Sequence, residues 1–160
     1  MFYDNAQFPF TAVLETNWRK VRDELDALPL QSFAPWPERF LYEGGWNVFG
    51  LYGFGRKLRA NCGLCPETTA LVEQIPGLTT AGFSWLAPGA VIAPHVGYTS
   101  SVLRCHLALT VPEGCALRVG GETRSWQEGK TFVFDDTVEH EAWNRSAEAR
   151  TVLLLDFLRP

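Results

Sequence analysis

The stretch A-P-H-V-G-Y-T-S-S-V-L-R-C-H-L-A-L (residues 93–109) decides how this chain reads. Its second half predicts a strand from Ser101 to Val111, and a period of two puts Val102, Arg104 and His106 on one face, with Leu103, Cys105 and Leu107 on the other. Downstream, F-V-F-D-D-T-V-E-H-E-A-W-N (132–144) turns sharply and leads into T-V-L-L-L-D-F-L (151–158), a run apolar enough for a buried strand. Between them, C-A-L-R-V-G-G-E-T-R-S-W (115–126) reads as two short strands around Gly120-Gly121, a pair suited to a tight hairpin. Upstream, A-G-F-S-W-L-A-P-G-A (81–90) alternates and breaks at Pro88-Gly89. Strands at roughly ten-residue intervals with glycine turns point to a sandwich or barrel. The expected fold is mainly β: an antiparallel jelly roll (double-stranded β-helix, cupin-like) over residues 79–160, within one domain spanning 1–160.

Residues 1–78 read as a flank of helices and loops. Residues 1–10 are aromatic and extended, with Pro9 opposing helix. From Thr16 to Leu28, Trp18, Val21, Leu25 and Leu28 recur at steps of three and four between charged residues, an amphipathic helix that Pro29 ends. G-W-N-V-F-G-L-Y-G-F-G (45–55) resembles a strand interrupted by glycines, and Pro66 suits the first turn of a short helix ending before Pro76-Gly77.

A chain of 160 residues with six Trp and eleven Phe has the makings of one globular core. A net charge of -4 argues against nucleic-acid partners, which need a Lys/Arg excess. No apolar run is long enough for a membrane span, and the N-terminus lacks the basic and apolar regions of a signal peptide; the expected location is cytoplasmic. Cys62 and Cys65 have zinc or redox spacing without a second ligand pair, and read as ordinary loop thiols.

All three histidines, His95, His106 and His140, fall within residues 93–150. His95 and His140 lie at the edges of different predicted strands, and imidazole suits Fe(II). Taken alone, these residues fit a metal site and polar core histidines equally well. A facial triad needs a carboxylate two residues after the first histidine, where Gly97 stands. Asp135, Asp136, Glu139 and Glu141 surround His140, but in a turn they read as solvated or bonded to backbone. Arg104 and His106 share a face, and a buried guanidinium requires an anionic partner. Arg150 reads either as a surface residue at a strand end or as a bidentate clamp on a carboxylate.

The order of F-P-F, L-E-T-N-W, G-W-N-V-F-G-L, N-C…C-P-E-T-T-A-L, P-H-x-G, L-R-C-H-L-x-L, E-G-C, W-x-E-G-K, F-D-D-x-x-E-H-E-A-W-N and the terminal R-P resembles the aspartyl/asparaginyl β-hydroxylase family of Fe(II)/2-oxoglutarate oxygenases over nearly the whole chain. The resemblance implies a jelly roll whose iron is held by His95 and His140, with Gly97 replacing the triad carboxylate. It implies 2-oxoglutarate held by Ser84, Arg104, His106 and Arg150, O2 as co-substrate, and Trp46 lining the substrate entrance. The implied reaction hydroxylates an unactivated C–H of an amino-acid residue or derivative, in a small-molecule, peptide or carrier-tethered substrate. Members acting on peptide aspartate or asparagine carry mouth arginines where this chain has Val102 and Leu41, which puts that substrate in question; Arg39, Arg56, Lys57 and Arg59 are the basic residues left to replace them. The competing reading is a non-catalytic cupin-like module that binds a metal or small molecule. A metal-dependent oxygenase without an oxoacid is disfavoured by Arg104 and Arg150.

Overall fold

The computed structural model describes residues 2–160, and its centre is the last strand. The run R-T-V-L-L-L-D-F-L forms β11 (Arg150–Leu158), buried along all but its final residue. Such a run suits a strand covered on both faces. β11 lies between β4 (Leu78–Leu86) and β6 (Val102–Thr110). Outside β4 come β2 (Trp46–Gly53) and then the two-residue β1 (Ala34–Pro35), with β3 (Arg56–Lys57) also on β2. Outside β6 comes β9 (Thr131–Phe134), completing a seven-stranded antiparallel sheet. The second sheet has four strands in the order β5 (Val91–His95), β10 (His140–Asn144), β7 (Cys115–Val119) and β8 (Glu122–Arg124). Gly120, in the β7–β8 hairpin, has φ 57°, which a side chain would disfavour.

The large sheet separates two cores. On one face Leu103, Cys105, Leu107, Leu153 and Leu155 pack with Leu14, Val21, Leu25 and Val72 of the helices. On the other, Trp46, Leu86, Val152 and Phe134 meet Ile92, Leu117, Val119 and Ala142 of the small sheet. The two-residue alternation of β6 is thus realised, with Arg104 and His106 on the face opposite Leu103 and Cys105. The jelly roll expected from the strand spacing is the observed fold.

The flank departs from its sequence reading in three places. Helix is not confined to residues 16–28: α1 (Phe10–Thr16) begins directly after Pro9, and α2 (Trp18–Asp26) follows a break at Asn17. Thr16 and Asn17 turn their side chains back onto the carbonyls of Ala12 and Val13, competing with the helical ladder. Pro9 opposes helix on neither side: a short 3-10 turn at Asn5–Gln7 precedes it, where residues 1–10 read as extended, and α1 starts directly after it. β2, although glycine-rich, runs against β4 from Trp46↔Leu86 to Tyr52↔Ala81, so residues 1–78 contribute a full strand to the jelly-roll sheet. Two further helices, α3 (Arg59–Leu64) and α4 (Pro66–Val72), complete the flank. Pro66 opens α4 as expected, and the Glu24 carboxylate of α2 accepts the backbone N–H groups of Glu67 and Thr68 there. Cys62 and Cys65 are free and buried, and burial pushes the Cys65 thiol up to about 12, which keeps it protonated and inert.

Candidate active site

Between the two sheets, side chains from β2, β4, β5, β6, β10 and β11 line one cavity: Trp46, Ser84, His95, Arg104, His106, His140 and Arg150. These are the predicted site residues with one exception. Val102 is buried at the end of β6 opposite Leu158 and does not line the cavity.

His95 and His140 are register partners on β5 and β10, with ring centroids 4.3 Å apart. Each ring is oriented the same way: Nδ1 bonds the carbonyl two residues earlier, Ala93 at 2.7 Å and Val138 at 2.9 Å. A carbonyl can only accept, so each Nδ1 carries the proton and each Nε2 presents a lone pair. That is the arrangement by which backbone fixes a metal-ligating imidazole. Burial holds the His140 pKa down to about 4, which keeps the ring neutral and able to ligate. Among the described residues no three His, Cys, Asp or Glu side chains converge as a metal cluster.

The missing triad carboxylate has a steric explanation. A Cβ on Gly97 would overlap the Asp136 carboxylate. Asp136 is not solvated, as its turn suggested, but 1% exposed; both its oxygens lack hydrogen-bond partners, and burial raises its pKa to about 6. Asp135 behaves as expected, accepting from Thr137 and pairing with Arg159 at 2.6 Å.

Away from the histidines, the cavity is lined with donors. Arg150 is 1% exposed and pairs with no Asp or Glu among the described residues. Its Nη2 donates to Ser84 Oγ at 2.9 Å, its guanidinium lies 4.7 Å from the Trp126 ring centroid, and its Nε has no partner. Burial lowers its pKa to about 10, the signature of a cation without a counter-charge. Ser84 Oγ also accepts from Trp46 Nε1 at 2.9 Å. With both lone pairs engaged, its hydroxyl proton is free to donate. Trp126 Nε1 donates to His106 Nδ1 at 3.2 Å, so the neutral ring carries its hydrogen on Nε2, which has no partner. Burial, with Arg150 and Arg104 nearby, holds the His106 pKa well below the usual range. Arg150, Ser84 and His106 thus form a cationic cradle of unspent donors, suited to a carboxylate. Its space is narrow, about 20 Å³, or roughly one water molecule. A diacid must part these side chains, of which Arg150 is the longest and most rotatable.

Arg104 differs. It also lines the cavity, but its Nε and Nη2 donate to the two Asp156 oxygens at 2.8 and 3.0 Å. The anion that a buried arginine requires is supplied from within the chain. Trp46 is 3% exposed and stacked on Trp36 at 4.5 Å, so it sits beneath Ser84 and not at an open entrance. Sequence reasoning passed over Trp126 and Asp156. Asp156 had a signal: an acid in an otherwise apolar run, in the same two-residue phase as Arg150.

Fold and site together define a cupin-type jelly roll with a two-histidine centre beside an anion cradle. The sequence profile of the aspartyl/asparaginyl β-hydroxylases matches residues 15–160, and the chain belongs to that family. It is 41% identical to the ornithine lipid ester-linked acyl 2-hydroxylase of Rhizobium tropici, covering 99% of this chain and 60% of that protein. It is 36% identical to the human aspartyl/asparaginyl beta-hydroxylase, covering 92% of this chain and 21% of that one. The chain therefore spans only part of these relatives' lengths. A 2OG-Fe(II) oxygenase family oxidoreductase from Burkholderia pseudomallei shares the fold at a TM-score of 0.69 and 12% identity, over 91% of this chain and 80% of that one. A cupin domain of an XRE family transcriptional regulator from Enterobacter cloacae does so at 0.50 and 14%, over 73% and 100%. No helix among the described residues is long and apolar enough to cross a membrane.

Proposed function

We propose that this domain is an Fe(II)- and 2-oxoglutarate-dependent hydroxylase acting on an unactivated C–H. The observation that carries the reading is Arg150: a buried cation without a carboxylate partner among the described residues, converging with the free donors of Ser84 and His106. A buried charge of this kind is tolerated when a ligand completes it.

In this reading the Nε2 atoms of His95 and His140 hold the metal, and their Nδ1–carbonyl bonds keep both lone pairs aimed while the site is being filled. Arg150 and Ser84 take the remote carboxylate of the oxoacid. His106, fixed as a donor by Trp126, directs its Nε2–H at the same ligand. Arg104, already neutralised by Asp156, shapes the wall and adds no free charge. When bound, Fe(II) and 2-oxoglutarate supply the oxygen activation, with O2, oxoacid and substrate C–H giving C–OH, succinate and CO2. Burial of the cradle keeps water from the reacting centre. The relatives include both an acyl hydroxylase and aspartyl/asparaginyl hydroxylases, and the donor cradle itself selects neither.

An anaerobic titration with Fe(II), with and without 2-oxoglutarate, tests the reading through the visible charge-transfer band of the chelate. The band is expected only with both components and is lost in His140→Ala. A folded protein that shows no band returns the domain to the non-catalytic cupin-like module.

A further inference from the structure

Trp126 touches both anchors of the donor cradle. Its indole N–H donates to His106 Nδ1 at 3.2 Å, and its ring centroid lies 4.7 Å from the Arg150 guanidinium. The residue is 4% exposed and does not itself line the cavity, whereas Arg150 and His106 do. It stands behind the cradle, with its two partners between it and the space a ligand enters.

The W-Q-E-G-K turn (126–130) holds it there. Gly129 N–H donates to the Ala108 carbonyl at 2.9 Å, Ala108 N–H donates to the Lys130 carbonyl at 3.0 Å, and the Glu128 carboxylate accepts the Val111 N–H at 3.0 Å. These bonds fasten the turn to β6 and its end, two residues beyond His106. On the other side Gly129, at φ 82°, lies against the Trp18 indole of α2, where a Cβ would overlap the ring. The backbone that carries Trp126 is therefore tied to the strand that carries His106.

That placement matters because Arg150 must move. The space among the donors is about 20 Å³, so a diacid enters only as the arginine gives way. Its Nη2 is bonded to Ser84 Oγ on one side, and on the other its withdrawal ends at the Trp126 ring. The same indole holds His106 at the opposite anchor, so one fixed side chain sets the spacing of both.

We propose that Trp126 is a positioning residue that gauges the length of the oxoacid: it backs Arg150, anchors His106, and so admits a 2-oxo diacid of one length while disfavouring its longer homologue. The inference rests on the oxoacid reading of the cradle and adds what selects among oxoacids. One more methylene presses the remote carboxylate toward an arginine that has no room to retreat. A mismatch of one methylene in a pocket of fixed length changes affinity by about 10- to 200-fold.

The test measures, by anaerobic calorimetry on the Fe(II)-loaded protein, the affinities of 2-oxoglutarate and of 2-oxoadipate, which is one methylene longer. Wild type is expected to favour 2-oxoglutarate by about tenfold or more. Trp126→Leu removes ring and N–H together; its preference is expected to fall to within about threefold of unity, because Arg150 can now withdraw. Trp126→Phe keeps a ring under Arg150 and loses only the bond to His106, so both affinities should drop by a similar factor, about fivefold, with the preference retained. A merely structural role would weaken both oxoacids together in Trp126→Leu and leave their ratio where it was. Should Trp126→Leu not fold, Trp126→Met gives the same direction with a smaller change. A leucine or methionine variant that discriminates as sharply as wild type overturns the inference, as does a wild type that binds both oxoacids alike. A charge-transfer band with an unchanged ratio removes the gauge alone. A wild type that binds neither oxoacid and shows no band removes the oxoacid reading and the gauge with it.

Discussion

Two buried arginines share one face of the large sheet and have opposite circumstances. Arg104 is gripped by both oxygens of Asp156, whereas Arg150 has a serine, a tryptophan face and, among the described residues, no carboxylate. A charge completed inside the chain is part of the fold. A charge left open is part of a binding site. In the proposed reading the two arginines divide the inner face into an end at Arg150 that takes an anion and an end, past Arg104, where the charge is already paired.

Replacing each arginine by methionine should separate these roles. Arg104→Met leaves Asp156 buried without its partner and is expected to destabilise the protein by ~3–5 kcal/mol in urea unfolding. Arg150→Met removes a charge that no protein group neutralises, so unfolding stability should hold or rise. Its effect should fall on the oxoacid: affinity for 2-oxoglutarate, read from the charge-transfer band, is expected to drop about a hundredfold, or ~3 kcal/mol, with Fe(II) affinity little changed. If both variants lost stability equally, the distinction between the arginines would collapse.

Gly97 and Asp136 offer a smaller test at the histidine centre. A methyl group at position 97 has no room beside the Asp136 carboxylate. Gly97→Ala is therefore expected to lose ~1–3 kcal/mol of stability through overpacking. Adding Asp136→Ala should recover most of that loss, a non-additivity that a double-mutant cycle measures directly. Independent effects would show that the glycine is there for another reason.

The fold is legible in the sequence because the strands follow their side-chain periods. The alternation of residues 101–111 places Arg104 and His106 on one face, and the apolar run of residues 151–158 announces the central strand. Of the site, the placing of His95 and His140 at two strand edges is legible, and the structure brings those edges together, while residue type alone leaves a metal role and a polar core equally open. The site is not legible where the role depends on who stands opposite. Whether Arg104 or Arg150 is the free cation is decided by Asp156, which shares its register with Arg104 across β6 and β11. Asp136 reads as solvated because turns usually are, and a turn pattern does not show that Gly97 and Arg104 stand against its carboxylate. The break at Asn17 escapes a helical pattern that Trp18, Val21 and Leu25 satisfy whether or not the helix is interrupted before them.

The smallest predicted effect is a slope that Asp136 partly conceals in wild type. In the metal-free protein Asp136 has its pKa raised by burial from 3.8 to about 6, so the folded state holds a proton that the unfolded state has released. That contribution is present below about pH 4 and is lost as pH rises to 6. His140 has its pKa lowered by burial from 6.5 to about 4, so stability from this group is gained as pH rises through the same window. His106, whose pKa burial also holds well below the usual range, adds a second slope of the same sign as His140, so Asp136 offsets only part of the histidine slope between pH 4 and 6. Asp136→Asn removes the opposing slope, and the variant is expected to gain stability with rising pH more steeply than wild type, by no more than about 1.4 kcal/mol per unit. Metal-free unfolding curves at several pH values check it. A slope in wild type as steep as in the variant would mean that Asp136 is ionised in the fold, and that the space at Gly97 is kept by a charge and not by a neutral acid.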